Sequence, residues 1–208
     1  MIALDFFAGI GGFDLGLERA GDFVVPWACE WGDEPRAVYG GHWEAPQGRD
    51  IRDVRPSELP PADLWVGGFP CQDVSSAGAR RGLLGGQRSS LVFRWLGLAA
   101  VARPRWILME NVPGLLVAGR GFDRLLGVLA RLGYGFAWRT LDAQHFGLAQ
   151  QRRRVFLLAC LDPGAGAGRA ERVLLEPQGL RRDPDPSGAQ GPARAGAAPV
   201  GAGGGGVA

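Results

Sequence analysis

Lysine is absent from this 208-residue chain: all 23 basic residues are arginine, against 21 acidic ones. The net charge of +2 falls short of the strong basic excess of a free-standing nucleic-acid binder. A GC-rich coding preference explains the arginine bias, with selection for phosphate contacts as the second reading. Cysteine is scarce as well. Cys29, Cys71 and Cys160 are too few for a disulfide scaffold and form no CxxC pair, so no zinc ribbon or other metal site is expected. No uninterrupted apolar run approaches the ~20 residues of a membrane helix. The opening MIALDFFAGIGG has no basic region ahead of its apolar stretch, so a signal peptide is not expected. No aromatic residue follows Phe156. These absences predict a soluble, cytoplasmic protein with reduced cysteines and no membrane partner.

What is present is a core. Hydrophobic residues make up 46% of the chain and charged residues 21%, enough for one domain at this length. Short apolar runs at 2–7, 23–29, 64–67, 105–109, 134–141 and 155–161 are bounded by Gly, Pro or charge and read as buried strands. Between them lie amphipathic stretches at 12–20, 33–43, 89–102 and 121–132. In the last, Phe122, Leu125, Leu126, Leu129 and Leu132 recur at helical spacing. Strands alternating with helices predict an α/β fold whose mostly parallel sheet carries helices on both faces. In such sheets ligands bind beyond the carboxyl ends of the strands.

After Asp162 the alternation fades. Residues 173–180 have room for one short ordered piece. Of the 26 residues from 183 to 208, 19 are Gly, Ala or Pro, a composition that cannot bury enough apolar surface to offset its ordering entropy. The expected organisation is a domain over 1–162, a connection over 163–182 and a flexible tail over 183–208.

Five segments at strand boundaries carry candidate chemistry, with Asp50 between the second and third of them. The first run leads into Phe7-Ala8-Gly9-Ile10-Gly11-Gly12 and then a helix, a turn that brings backbone close to a ligand. A dinucleotide fingerprint needs glycine at 14, where Asp14 stands, and its carboxylate would face a pyrophosphate. Glu30 closes the second run and suits ribose hydroxyls; Asp50 suits an exocyclic amine. A glycine turn with two acids fits an adenosine ligand bearing a sulfonium. An ordinary turn with solvated acids fits equally well. The run at 64–67 leads to Pro70-Cys71-Gln72-Asp73-Val74-Ser75, where Cys71 is the candidate nucleophile. Cys29 and Cys160, inside apolar runs, read as small buried hydrophobes. Glu110, at the end of a buried strand, should have a raised pKa suited to a proton donor, or else pair with a nearby arginine. In Gln150-Gln151-Arg152-Arg153-Arg154, an extended chain points Arg152 and Arg154 to one face and Arg153 to the other.

Together these segments resemble the DNA cytosine-5 methyltransferase family. The resemblance rests on DFFAGIGGF at 5–13, Glu30-Trp31, Asp50-Ile51, GFPCQDVS at 68–75, Glu110-Asn111-Val112 and the Gln-x-Arg-x-Arg of 150–154, in family order and intervals across nearly all of residues 2–160. It implies a Rossmann-like S-adenosylmethionine-dependent methyltransferase fold. It assigns Phe7, Gly9, Gly11, Gly12, Glu30, Trp31, Asp50 and Ile51 to the cofactor. It assigns Cys71, Glu110, Arg152 and Arg154 to catalysis on a flipped cytosine in double-stranded DNA. Gln72, Ser75 and the 76–90 loop resemble a mobile catalytic loop, with Arg80, Arg81 and Arg88 set to meet phosphates. The family's target-recognition region and last motif have no counterpart here, so a truncated enzyme or one part of a split enzyme is implied, completed by a recognition segment or a second chain. The alternatives are an inactive or regulatory S-adenosylmethionine-binding fragment and a tRNA cytosine-5 methyltransferase. A nicotinamide dehydrogenase is disfavoured by Asp14.

Overall fold

The computed structural model describes residues 1–44, 46, 48–70, 91–162 and 164–175. Six strands form one sheet: β1 (Ile2–Phe6), β2 (Val24–Cys29), β3 (Leu64–Gly68), β4 (Trp106–Asn111), β5 (Gly135–Asp142) and β6 (Arg153–Cys160). Their order across the sheet is β2-β1-β3-β4-β6-β5. The pairs β1–β2, β1–β3 and β3–β4 are parallel, while β6 runs antiparallel to both β4 and β5. The α/β reading holds, with one mixed corner. Its cause is the connection lengths. A helix carries the chain from β4 to β5, and the short link over 143–152 can only return an antiparallel neighbour, which fills the slot between them.

Among the described residues, five helices cover the sheet: α1 (Gly12–Ala20), α2 (Asp33–Tyr39), α3 (Leu91–Ala102), α4 (Phe122–Arg131) and α5 (Gly166–Leu175). The pleat sends alternate residues to opposite faces. Leu4 and Phe6 of β1 join Trp65, Ile107, Met109 and Leu157 in the larger core, closed by Trp95 and Leu96 of α3 and Leu125 and Leu129 of α4. Phe6 lies at the centre of a ring cluster, 4.6 Å from Trp65 and 5.4 Å from Trp95 between centroids. On the other face Ala3 and Val66 pack beneath Leu17 of α1. Cys29 and Cys160 are buried.

α5 lies beyond the point where the hydropathy alternation fades. It docks across β5 and β6 through the fully buried Ala170, against Ala137, Leu158 and Cys160. Its backbone comes so close to Gly135 that a Cβ there would overlap Gly166 and Ala167. Among the described residues, no helix is long and apolar enough to cross a membrane.

Candidate functional site

Because β1, β2, β3 and β4 run the same way, their carboxyl ends share one edge. After β1 the chain reverses sharply: Phe7, Gly9 and Gly11 all take positive φ, at 61°, 59° and 88°. Glycine does this without strain, but a left-handed phenylalanine costs roughly 1–2 kcal/mol. The Phe7 ring is held edge-on against Trp95 at 5.9 Å. Ala8 N–H donates to the Cys29 carbonyl at 2.9 Å and Gly11 N–H to the Ala8 carbonyl at 2.9 Å, so the turn is tied to β2 and to itself.

Glu30, just past β2, accepts from Gly9 N–H at 2.9 Å through Oε2 and from Gly32 N–H at 2.7 Å through Oε1. A carboxylate has about four lone-pair sites, so both oxygens keep acceptor capacity. A cavity of about 570 Å³ opens beside them, bounded by Phe7, Gly9, Glu30, Trp31, Asp50 and Ile51. Six of the eight residues assigned to the cofactor therefore meet at one cavity. Gly11 and Gly12 do not line it. Gly11 is buried against Trp43, and Gly12 opens α1 at the surface.

The far wall carries a residue that sequence reasoning missed. Arg52 grips Asp50 in a bidentate pair, with Nε at 3.0 Å from both oxygens and Nη2 at 2.6 Å from Oδ2. Its backbone N–H adds a bond of 2.9 Å. The Arg52 side-chain bond, foremost, holds the Asp50 carboxyl below the usual carboxylate range. An exocyclic amine on Asp50 would share a carboxylate that is already engaged. The signal in the sequence was the Asp-x-Arg spacing at 50–52. A second missed residue, Arg94 of α3, donates to the Ile51 carbonyl at 3.3 Å and the Val54 carbonyl at 2.5 Å, bracing this wall from behind.

Asp14 corrects an expectation. It does not face the cavity. It is buried beneath α1 and accepts from the Tyr39 hydroxyl at 2.7 Å. At the third position of α1 its side chain lies on the helix face turned toward the sheet, next to Asp5 of β1. It therefore gives no argument against a phosphate. Asp5 is wholly buried, and burial first, then the neighbouring Asp14, then the charge of Glu30 push its carboxyl well above the ordinary range.

On the other side of β3 lies the acid–arginine pair. Glu110 sits opposite Gly68 of β3 and Phe156 of β6. A Cβ at Gly68 would press on Glu110 Oε2 at 3.0 Å, so the glycine leaves room for the carboxylate. Arg154 Nε reaches Glu110 Oε1 at 2.7 Å, with the two side chains 24% and 23% exposed. Burial raises the Glu110 pKa, while the charges of Arg154 and Arg152 and the Arg154 bond pull it back. Both residue readings thus hold at once: a raised acid and an arginine partner. Arg152 acts on Glu110 only through its charge; its backbone N–H is bound by Asp142 at 2.9 Å.

Asn111, buried next to Glu110, donates through Nδ2 to the Phe69 carbonyl at 2.9 Å and accepts from Val112 N–H at 2.9 Å. It ties the end of β4 to the chain just before the candidate nucleophile. Cys71, Gln72, Ser75, Arg80, Arg81 and Arg88 lie outside the described residues, as does the tail over 183–208.

The profile of the C-5 cytosine-specific DNA methylase family matches residues 1–165. The chain belongs to that family. The chain is 43% identical over 168 residues to the type II methyltransferase M2.BsuMI of Bacillus subtilis (strain 168), covering 77% of this chain and 42% of that one. It is 37% identical over 172 residues to the type II methyltransferase M.Sau3AI of Staphylococcus aureus, covering 74% and 42%. With the type II methyltransferase M.NgoBI of Neisseria gonorrhoeae the identity is 36% over 162 residues, covering 76% and 50%. The chain thus spans half or less of the length of these relatives. The fold is shared with the S. pombe Dnmt2 methyltransferase, at a TM-score of 0.65 and 24% identity over 77% of this chain and 51% of that one. It is shared too with the Entamoeba histolytica methyltransferase EhMeth, at 0.68 and 19% over 78% and 53%. Within this methylase family chain, the cavity and the acid–arginine pair lie on either side of β3, whose end leads to Cys71.

Proposed function

We propose that this chain carries the cofactor-binding and catalytic portion of a DNA cytosine-5 methyltransferase. The observation that carries the reading is the Glu110–Arg154 pair beside the end of β3, one strand-width from the cavity edge at Gly68 and Pro70. The cavity chemistry fits S-adenosylmethionine: apolar Phe7, Trp31 and Ile51 suit a purine and ribose, and carboxylates at Glu30 and Asp50 suit a cation with hydroxyls and an amine. When bound, that cofactor supplies an electrophilic methyl group.

The chain's own residues make carbon 5 of cytosine able to accept it. The Cys71 thiolate adds to carbon 6 of the flipped base, and the electron pair of the 5,6 double bond moves toward carbon 5. Glu110 gives its proton to the ring nitrogen as charge develops there, a step favoured by its raised pKa. Arg154 turns from Glu110 to the cytosine carbonyl oxygen, with Arg152 adding positive charge. After the methyl group reaches carbon 5, a base removes the carbon-5 proton. Its electron pair re-forms the 5,6 double bond as the carbon 6–sulfur bond breaks, restoring the thiolate, and the ring nitrogen returns its proton to Glu110. Gln72, Ser75, Arg80, Arg81 and Arg88 contact the DNA. A recognition segment or second chain completes the enzyme; the partial coverage of the relatives supports this.

The test is transfer of a labelled methyl group from S-adenosylmethionine to mixed-sequence duplex DNA, with 5-fluorocytosine DNA as a covalent trap. Transfer and trapping by the chain, both lost in Cys71→Ser, are expected. Transfer that survives Cys71→Ser would sink the mechanism. Cofactor binding by calorimetry with no transfer, even with a recognition partner supplied, would point to a cofactor-binding fragment. RNA outcompeting DNA as acceptor would point to a tRNA substrate.

A further inference from the structure

Asp142 ends β5 and is only 8% exposed, although it is charged and lies at a strand end. Its carboxylate is occupied on both oxygens. Oδ1 accepts from Arg152 N–H at 2.9 Å and from Gln144 N–H at 3.3 Å, and Oδ2 accepts from Gln144 Nε2 at 3.1 Å. Ala143 N–H donates to the Arg152 carbonyl at 3.1 Å. Asp142 therefore caps the single turn at Ala143–Phe146 and bonds across the loop to the start of β6.

The register gives this bond a consequence. Asp142 pairs with Arg153 and Leu141 with Arg154, and these are the last two pairs of the β5–β6 ladder. Arg154 sits one pair from the loop end of that hairpin, and on its other side the pairing with β4 begins only at Val155. Fraying by two pairs frees it from Glu110. A slip of one residue replaces it by Arg153, because successive side chains point to opposite faces.

We propose that Asp142 is a positioning residue whose cross-loop bond to Arg152 fixes the start of β6, and with it the reach of Arg154 to Glu110. The placement of Arg154 stands on geometry alone; its importance for the acceptor base rests on the function proposed above. The cofactor cavity lies between β2, β1 and β3, on the far side of β4 from β5. Loss of Asp142 therefore separates the two halves of the site.

The experiment compares the full chain with Asp142→Asn, Asp142→Ser and Asp142→Ala. Asparagine keeps an oxygen for both N–H groups. Serine caps Gln144 N–H but is too short to reach Arg152. Three readouts are needed: amide hydrogen exchange, titration of Glu110 by carboxyl NMR, and S-adenosylmethionine binding by calorimetry. Serine and alanine are expected to speed exchange at residues 152–155 about tenfold, with β1 and β3 unchanged. They are expected to move the Glu110 titration upward, because the positive charge that lowers it is withdrawn, and to leave cofactor binding intact. Asparagine should track the wild type. The proposal is overturned if the serine variant matches the wild type at 152–155 and at Glu110. It is also overturned if exchange rises across the whole sheet and cofactor binding falls in step. Should alanine fail to fold, serine and asparagine still decide. Failure of the wild type to transfer methyl groups would count against the function alone, since neither exchange nor titration depends on it.

Discussion

Adding one methyl group at Gly11 and, in a separate variant, at Gly12 is expected to change stability in opposite directions. At Gly11 the backbone has φ +88°, and a Cβ would overlap three atoms of the Trp43 ring. The left-handed conformation costs alanine roughly 1–2 kcal/mol. Trp43 must also move, and it donates to Glu18 at 2.5 Å and packs against Tyr39 at 5.1 Å between centroids. Losing that bond and ring contact adds about 1–2 kcal/mol, for a total of roughly 3 kcal/mol. Gly12 is the first residue of α1 and has nothing within 4 Å of a built Cβ. Alanine there gains up to about 0.5–1 kcal/mol by restricting the unfolded chain and favouring the helix. At 2–4 °C per kcal/mol for a chain of this size, the two variants should melt roughly 10 °C apart. Thermal denaturation followed by circular dichroism reads the difference. Equal melting temperatures, or a Gly11→Ala variant as stable as the wild type, would refute the argument, because either result requires a different turn at the end of β1.

Three further outcomes are expected. Arg154→Ala should leave cofactor binding unchanged, raise the Glu110 titration seen by NMR, and cut methyl transfer roughly 10²-fold as one charge-stabilising donor is lost. Asp5→Asn tests the buried acid of β1. A carboxyl raised in the fold contributes stability that is complete below its ordinary value of 3.8 and is lost as pH rises through the raised one. The asparagine variant should therefore melt higher than the wild type at neutral pH and show a flatter dependence above pH 3.8; a matching slope would contradict the assignment. Arg94→Ala removes two partly buried bonds to the Ile51 and Val54 carbonyls, so stability should fall by about 2 kcal/mol and calorimetry should record weaker binding of S-adenosylmethionine.

How much of this was legible depended on whether a feature is local. All six strands show in the apolar runs; β1, β3, β4 and β6 have a neighbour on each side and stand out most, while the edge strands β2 and β5 keep exposed positions. The end of α2 at Tyr39, short of residue 43, follows from the Gly40-Gly41 pair. α5 was less visible: it packs on the sheet through Ala170 and Leu174, and close backbone approach at Gly135 does the work that large side chains do elsewhere. Glu30 and Glu110 were readable as acids at strand ends. Arg52, Asn111 and Asp142 acquire their meaning from partners across a loop or in another strand, which spacing along the chain does not reveal. The direction of Asp14 is not legible in a glycine-rich segment, because it is the third position of α1 that turns the carboxylate inward toward Tyr39.

The reversed strand leaves a trace in linear order. Glu30 and Cys71 follow their apolar runs and Glu110 closes its own, whereas the arginine motif comes ahead of the run it belongs to. Had β6 pointed with its neighbours, Arg154 would lie at the opposite edge of the sheet, about 20 Å from Glu110 at ~3.3 Å per residue. A charged motif that precedes its hydrophobic run, in a chain whose other polar motifs trail theirs, thus works as a polarity mark. It tells which strand runs backward before any pairing is known.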